Sequence, residues 1–246
     1  PLVSGGELNG VKLTRIHLEE DTGTSIHDQG DHSLVNYNRA GVPLMELVTE
    51  PVIRSAKQAS DFAKEFQLLL QYLGAGEANL EKGEMRVEAN ISVSKDPNKF
   101  GTKVEVKNLN SFKAVEKAIE FEMARHIAML EKGEEIKQET RGWDEDRSST
   151  FSQRSKENAH DYRYFPDPDL IPLNLAQSFV DEIKKSLPEL PDDKKARYVK
   201  ELNLSSYDAS VLVSEKSIAN YYEQVIKNAD PKMAANWVTV ELFAKL

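Results

Sequence analysis

The chain has 246 residues, 30% of them charged and 39% hydrophobic, with a formal net charge of −9. That is a globular composition, long enough for one large domain or two smaller ones, and no run nears the roughly 18 apolar residues a membrane helix needs. The acidic balance argues against a surface coated for nucleic acid without excluding a local basic patch; the absence of cysteine excludes disulfides and thiolate metal sites, so any metal must sit on oxygen or imidazole ligands.

No signal-peptide pattern opens the chain, and a cytoplasmic setting fits. Residues 1–172 read as mixed strand and helix, and 173–246 as nearly all helix. Strand-like alternation or β-formers mark "VKLTRIHLEED" (11–21) and "SLVNYNRAGVPLMELVTEP" (33–51). The glycine stretches "SGGELNG" and "GAG" (74–76) lack a phosphate-loop ending and read as turns. A helix is expected over 55–73, with Ser55 as N-cap, Gly74 just past the end, and Phe62, Phe66, Leu69, Leu70 and Leu73 facing the core. Strands follow at "GEMRVEANISV" (83–93) and "GTKVEVKNLN" (101–110). A second helix runs from Ser111 to Gly133, with Phe112, Val115, Ile119, Met123, Ile127 and Leu130 expected inward. Three more strand-like runs, 136–146, 148–157 and 160–170, lead to the proline-rich "FPDPDLIPL", the expected domain boundary. After it, proline and asparagine signals divide the chain into short helices, which suggests a small bundle. Strands with two long helices packed on one side make an α+β layer arrangement, leaving the other sheet face free to form a concave site.

Four of these strands carry polar faces of one kind. "RIHLEED" offers Arg15, His17, Glu19, Glu20 and Asp21, and Glu46 interrupts the apolar "PLMELVTEP". In "GEMRVEANISV", Met85, Val87, Ala89, Ile91 and Val93 share one face; Arg86, Glu88, Asn90 and Ser92 stand on the other, alternate residues being about 7 Å apart. "KVEVKNLNS" adds Lys103, Glu105 and Lys107, then Asn108 and Asn110. A carboxylate in an apolar strand is costly to bury unless paired or metal-bound. Carboxylates from several strands suit a hard cation such as Mg²⁺, and neighbouring lysines and arginines would neutralise phosphate. A web of cross-strand ion pairs on a solvated sheet is the alternative reading of the same pattern.

His17 flanks the carboxylates, whereas His27, His32 and His126 read as loop or surface residues and His160 is open. Tyr162, Arg163, Tyr164 and Phe165 could stack on a base or simply close the sheet. Lys184, Lys185, Lys194, Lys195, Arg197 and Lys200 form either a solvated helix face balanced by Asp192 and Asp193 or an RNA-facing patch. No G-x-S-x-G elbow or cysteine nucleophile supports acyl-enzyme chemistry.

Seven segments occur in the order and spacing of one family: "TRIHLEEDTG", "VNYNRAGVPLMELVTEP", "GEMRVEANISVS", "FGTKVEVKNLNSF", "QETRGWDE", "RSKENAHDYRYFPDPDL" and "NWVTVEL". Almost end to end, the chain resembles the B-subunit family of the aspartyl/glutamyl-tRNA amidotransferases. The resemblance implies a cradle domain related to glutamine synthetase and guanido kinases over 1–172, then a helical domain over 173–246. It implies a carbon–nitrogen ligase that uses ATP and Mg²⁺ to phosphorylate the side-chain carboxylate of tRNA mischarged with glutamate or aspartate. Ammonia then displaces phosphate. The implied partners are that tRNA, a glutaminase (A) subunit that supplies ammonia through a channel, and a small (C) subunit, with no membrane involved. By motif, Glu20, Glu46 and Glu88 correspond to metal ligands, and Glu20 also stands where the channel reaches the cradle. Arg86 and Lys107 are the expected catalytic cations, and Asn90, Lys103 and Asn108 the expected ATP or phosphate contacts. Two departures bear on the geometry: this chain has Glu88 and Asn36 where the family often has aspartate.

Both ends read as cut, at Pro1 and in the periodic "NWVTVELFAKL". A family strand with an E-x-H motif is expected upstream and a tail domain downstream, and the chain alone is expected to be inactive. Two other functions remain open. A tRNA-binding scaffold would not need the carboxylates to converge, and a carboxylate-pair hydrolase is opposed by Arg86, Lys103 and Lys107. Glutamine versus asparagine specificity is not legible.

Overall fold

The computed structural model describes residues 1–27, 30–155 and 173–245. The segment expected to hold the domain boundary, with His160 and the Tyr162–Phe165 cluster, lies outside the described residues. The chain falls into two compact units, Pro1–Phe62 and Ala63–Leu246.

The first unit is built on antiparallel strands: β1 Val3–Ser4, β2 Glu7–Leu8, β3 Val11–Glu20, β4 Thr24–Ile26, β5 Leu34–Asn36 and β6 Pro43–Thr49. β3 is the hub, flanked by β1 and β2 and paired with β6, while β4 and β5 form a separate hairpin. Asn9 and Gly10 join β2 to β3, with φ of 48° and 72°. Two positive φ angles in succession are what a two-residue hairpin turn with the right twist demands, and Asn-Gly adopts them most readily.

The second unit holds a sheet in the order β10-β9-β8-β7, made of β7 Val87–Ile91, β8 Val104–Leu109, β9 Glu139–Asp144 and β10 Ser149–Ser155. Most pairings are antiparallel, but β8 and β9 run parallel. That exception follows from the connection: α2, Phe112–Glu131, lies between them and forms the crossover a parallel pair requires. Ser111 caps α2 by accepting from the Ala114 amide, and Gly133, with φ of 76°, ends it.

Val104, Val106, Leu109, Ala114, Val115, Ala118, Ile119 and Trp143 are buried in this unit. The buried stripe of α2 is rotated from the expected one. Val115 and Ile119 are inside, but Ile127 and Leu130 are exposed, and Glu122 and His126 take the inward positions. His126, expected at the surface, is 0% exposed. Glu122 can take an inward position here because Arg125, Arg141 and Thr150 satisfy its carboxylate.

α1, Ala56–Leu73, starts where the Gln58 amide donates to Ser55 Oγ and ends before Gly74. Of its expected stripe, Phe62 is buried, Phe66, Leu69 and Leu70 are half-buried, and Leu73 is exposed. Beyond the undescribed segment come α3 Gln177–Ser186, α4 Pro191–Glu201, α5 Ser206–Val213, α6 Lys216–Val225 and α7 Pro231–Asn236, which continues as a π-helical turn. Tyr198, Leu204, Leu212, Val213, Tyr222 and Val238 are the larger members of the cluster that holds α4 to α7 together. The buried Tyr72 hydroxyl at the end of α1 donates to the Val213 carbonyl (3.0 Å), and Lys216 Nζ donates to the Tyr72 carbonyl (2.9 Å). No helix among the described residues is long and apolar enough to cross a membrane.

Candidate functional site

In the first unit, the β3–β6 register sets His17 directly opposite Glu46. Cross-strand neighbours on one face have Cβ atoms about 5 Å apart, so two long polar side chains can meet there. His17 Nε2 lies 2.7 Å from Glu46 Oε2 and 2.9 Å from Glu19 Oε1. The three ligand-type atoms fall within 4.8 Å of one another. The imidazole is mostly enclosed while both carboxylates stay half-exposed, their side chains being 20%, 49% and 50% accessible. One imidazole nitrogen between two carboxylates can donate as imidazolium, or all three groups can turn their lone pairs on a cation. Two hard oxygens and one nitrogen suit Mn²⁺ or Zn²⁺, and accept Mg²⁺ when water completes the shell.

Residue parity decides the membership of this cluster. His17 and Glu19 share a face of β3, and Glu20, one residue on, alternates to the other face opposite Pro43. Of the three expected metal carboxylates, Glu46 therefore joins the cluster, Glu20 stands behind it, and Glu88 belongs to the second unit.

In the second unit, the face of β7 and β8 turned away from α2 carries the remaining expected residues. Lys107 Nζ lies 2.9 Å from Glu88 Oε1 and 4.0 Å from Glu105 Oε1. Thr140 Oγ1 donates to the second Glu105 oxygen at 2.7 Å, fixing it. Asn90 pairs with Glu105 across the ladder and is exposed, as are Arg86 just before β7 and Lys103 just before β8. The Asn108 amide donates to the Trp143 carbonyl at 3.1 Å. Arginine, lysine and amide groups thus border one ion pair on an open sheet face.

Two further networks escaped the sequence reading. Beneath α2, the fully buried Glu122 accepts from Arg125 Nη2 (2.7 Å) and Thr150 Oγ1 and lies 3.1 Å from Arg141 Nε. Arg141 also donates to Glu139 (2.7 Å), and His126 Nε2 stands 3.2 Å from Glu122. Burial raises the Glu122 carboxyl pKa, but His126, Arg125 and Thr150 more than offset it and hold it at about 2. The available signal was an acid, an arginine and a histidine inside a helix already expected to pack on the sheet. This network ties α2 to β9 and β10.

The second network lies in the basic stretch. Lys194 is buried, 3.0 Å from Glu189 and 2.8 Å from Glu223. Arg197 grips Glu189 with two nitrogens at 2.6 and 2.7 Å and also reaches Glu223. Hydrogen bonds from Arg197 first, then Lys194, pull the Glu189 carboxyl down to about 2. For Lys194 and Arg197 the balancing acids are Glu189 and Glu223 in place of Asp192 and Asp193, and these two cations are committed within the fold.

Residues 1–181 match the family model described as the GatB/GatE catalytic domain. Curated relatives are the aspartyl/glutamyl-tRNA(Asn/Gln) amidotransferase B subunits of Rickettsia rickettsii, Thermodesulfovibrio yellowstonii and Persephonella marina. They are 49%, 48% and 52% identical over 99%, 100% and 96% of this chain. The chain spans about half the length of these relatives, between 50% and 52%.

Proposed function

The chain belongs to the GatB/GatE catalytic-domain family, and we propose that it forms the ATP- and Mg²⁺-dependent part of a cytoplasmic tRNA-dependent amidotransferase. Its substrates are Glu-tRNA(Gln), Asp-tRNA(Asn) or both. A glutaminase (A) subunit delivers ammonia, and a small (C) subunit completes the assembly.

Chemistry supports this reading. A carboxylate resists attack by ammonia until one oxygen becomes part of a good leaving group. An oxygen of the substrate carboxylate attacks the γ-phosphorus of ATP, the bond to the β-γ bridging oxygen breaks, and ADP leaves. The ammonia nitrogen then attacks the acyl carbon, the bond to the phosphate-bearing oxygen breaks, and phosphate leaves with that electron pair as nitrogen gives up a proton. Both steps depend mainly on positioning and on neutralising phosphate charge.

The observation that carries the proposal is the convergence of His17, Glu19 and Glu46. These side chains would hold Mg²⁺, which when bound supplies positive charge to phosphate oxygens. In the second unit by itself, Lys107, held by Glu88, offers a cation for a phosphate on the outer sheet face, and Arg86 and Lys103 are exposed just before β7 and β8. Asn90 and Asn108 border the same face. Glu20, behind the cluster, is the group that meets incoming ammonia.

The test uses the full-length subunit assembled with its partners. Glu46→Gln should lower amide formation on misacylated tRNA by about a hundred-fold and weaken Mn²⁺ binding at least ten-fold, while glutamine hydrolysis by the partner stays near normal. Unchanged Mn²⁺ affinity and unchanged amide formation would sink the proposal. Equal loss of both activities would point to failed assembly and to a scaffold role.

A further inference from the structure

Strand β8 carries one residue more than its partner can match. Val87 pairs with Leu109 and Ala89 with Val106, so Lys107 and Asn108 together face Glu88. Asn108 sits in the left-handed region, with φ of 66°. Asparagine tolerates that conformation, whereas a β-branched residue is strained there.

The extra residue resets the alternation of the strand. Val104 and Val106 point into the core, Lys107 points out, and Leu109 is buried again at an odd position. With regular alternation, Leu109 would share the face of Lys107. Asn108 is anchored on both sides of its amide: Nδ2 donates to the Trp143 carbonyl on β9 at 3.1 Å, and Oδ1 accepts from Asn110 Nδ2 at 3.4 Å. Lys107, the residue before this anchored turn, places its ammonium 2.9 Å from Glu88.

We infer that Asn108 is a positioning residue whose left-handed backbone aims the Lys107 ammonium at Glu88 and holds it on the outer sheet face, while its side chain is taken up by Trp143. Direct nucleotide contact by the Asn108 amide would compete with the Trp143 bond, so Asn108 acts through Lys107. The inference rests on the role given to Lys107 under the proposed function.

Four variants of the full-length subunit in its assembled complex decide the matter: Asn108→Val, Asn108→Gly, Lys107→Met and the double Lys107→Met/Asn108→Val. Asn108→Val should cut kcat about ten-fold with KM for misacylated tRNA within about two-fold, because the cation serves the reacting phosphate and not tRNA binding. Asn108→Gly, free to keep the left-handed turn, should stay within about three-fold of wild type. The double variant should be no slower than Lys107→Met alone, since both remove one interaction. Crystal structures should show the Lys107–Glu88 pair kept in Asn108→Gly and opened beyond about 4 Å in Asn108→Val. Where valine prevents assembly, Asn108→Ala takes its place with the same expectations.

An intact pair in Asn108→Val, or losses that add in the double variant, would overturn the inference. If the pair opens in Asn108→Val but Lys107→Met leaves turnover unchanged, the phosphate role of Lys107 falls and the geometric assignment of Asn108 stands.

Discussion

Glu122 shows what one side chain can impose on a helix. It is an acid with no exposure, held by Arg125, Arg141 and Thr150. Removing one member of a buried pair leaves the other charge desolvated, so Glu122→Gln should destabilise the fold by roughly 3 kcal/mol in urea titration. Because the folded pKa of Glu122, about 2, lies below its ordinary value of 4.5, its contribution is fully present above that value and fades as pH falls toward 2. The wild-type protein should therefore lose stability across that acid window, and Glu122→Gln should flatten the loss. Equal acid sensitivity in both proteins would show that other carboxylates dominate. His17, Glu19 and Glu46 differ from this case: they meet at half-exposed positions, where carboxylates that are not locked into a fold remain open to a ligand.

At the scale of elements, much of the architecture was legible. The caps at Ser55 and Ser111, the stops at Gly74 and Gly133, the turn before β3 and the strands β3, β6, β7 and β8 all follow from local pattern. Three features were not. The rotation of α2 depends on charges contributed by β9 and β10, which periodicity within one helix cannot report. The parallel β8–β9 pair depends on where α2 docks. The bulge at Asn108 had left a trace, since the apolar positions jump from Val106 to Leu109, but an asparagine pair there reads equally well as polar surface. In the candidate site, Glu46 stood out from its apolar context and alternation alone puts Glu19, not Glu20, on the face of His17, whereas the meeting of His17 with Glu46 required the strand register. The rotated helix yields a direct check. Ala118→Leu, at a fully buried position, should cost about 1–3 kcal/mol by overpacking, while Ile127→Lys, at an exposed one, should change stability by no more than about 0.5 kcal/mol. Reversed costs would restore the helix face expected from periodicity.

For the molecule as a whole, the parallel pairing of β8 with β9 governs time as well as space. Antiparallel neighbours joined by a tight turn can zip from that turn. These two strands can pair only after residues 110–138 have been gathered, so chain entropy must be surrendered before the ladder returns any of it. Glu122, Arg141 and Thr150 meet only once the helix and both later strands have converged, which puts their contacts late on the folding route. Glu122→Gln should therefore speed unfolding in stopped-flow measurements and leave the refolding rate nearly unchanged. Slower refolding with unchanged unfolding would instead make this charged knot part of the nucleus. On the late-forming route, it acts as a latch: it contributes little to the search for the fold and sets how long the finished sheet stays closed.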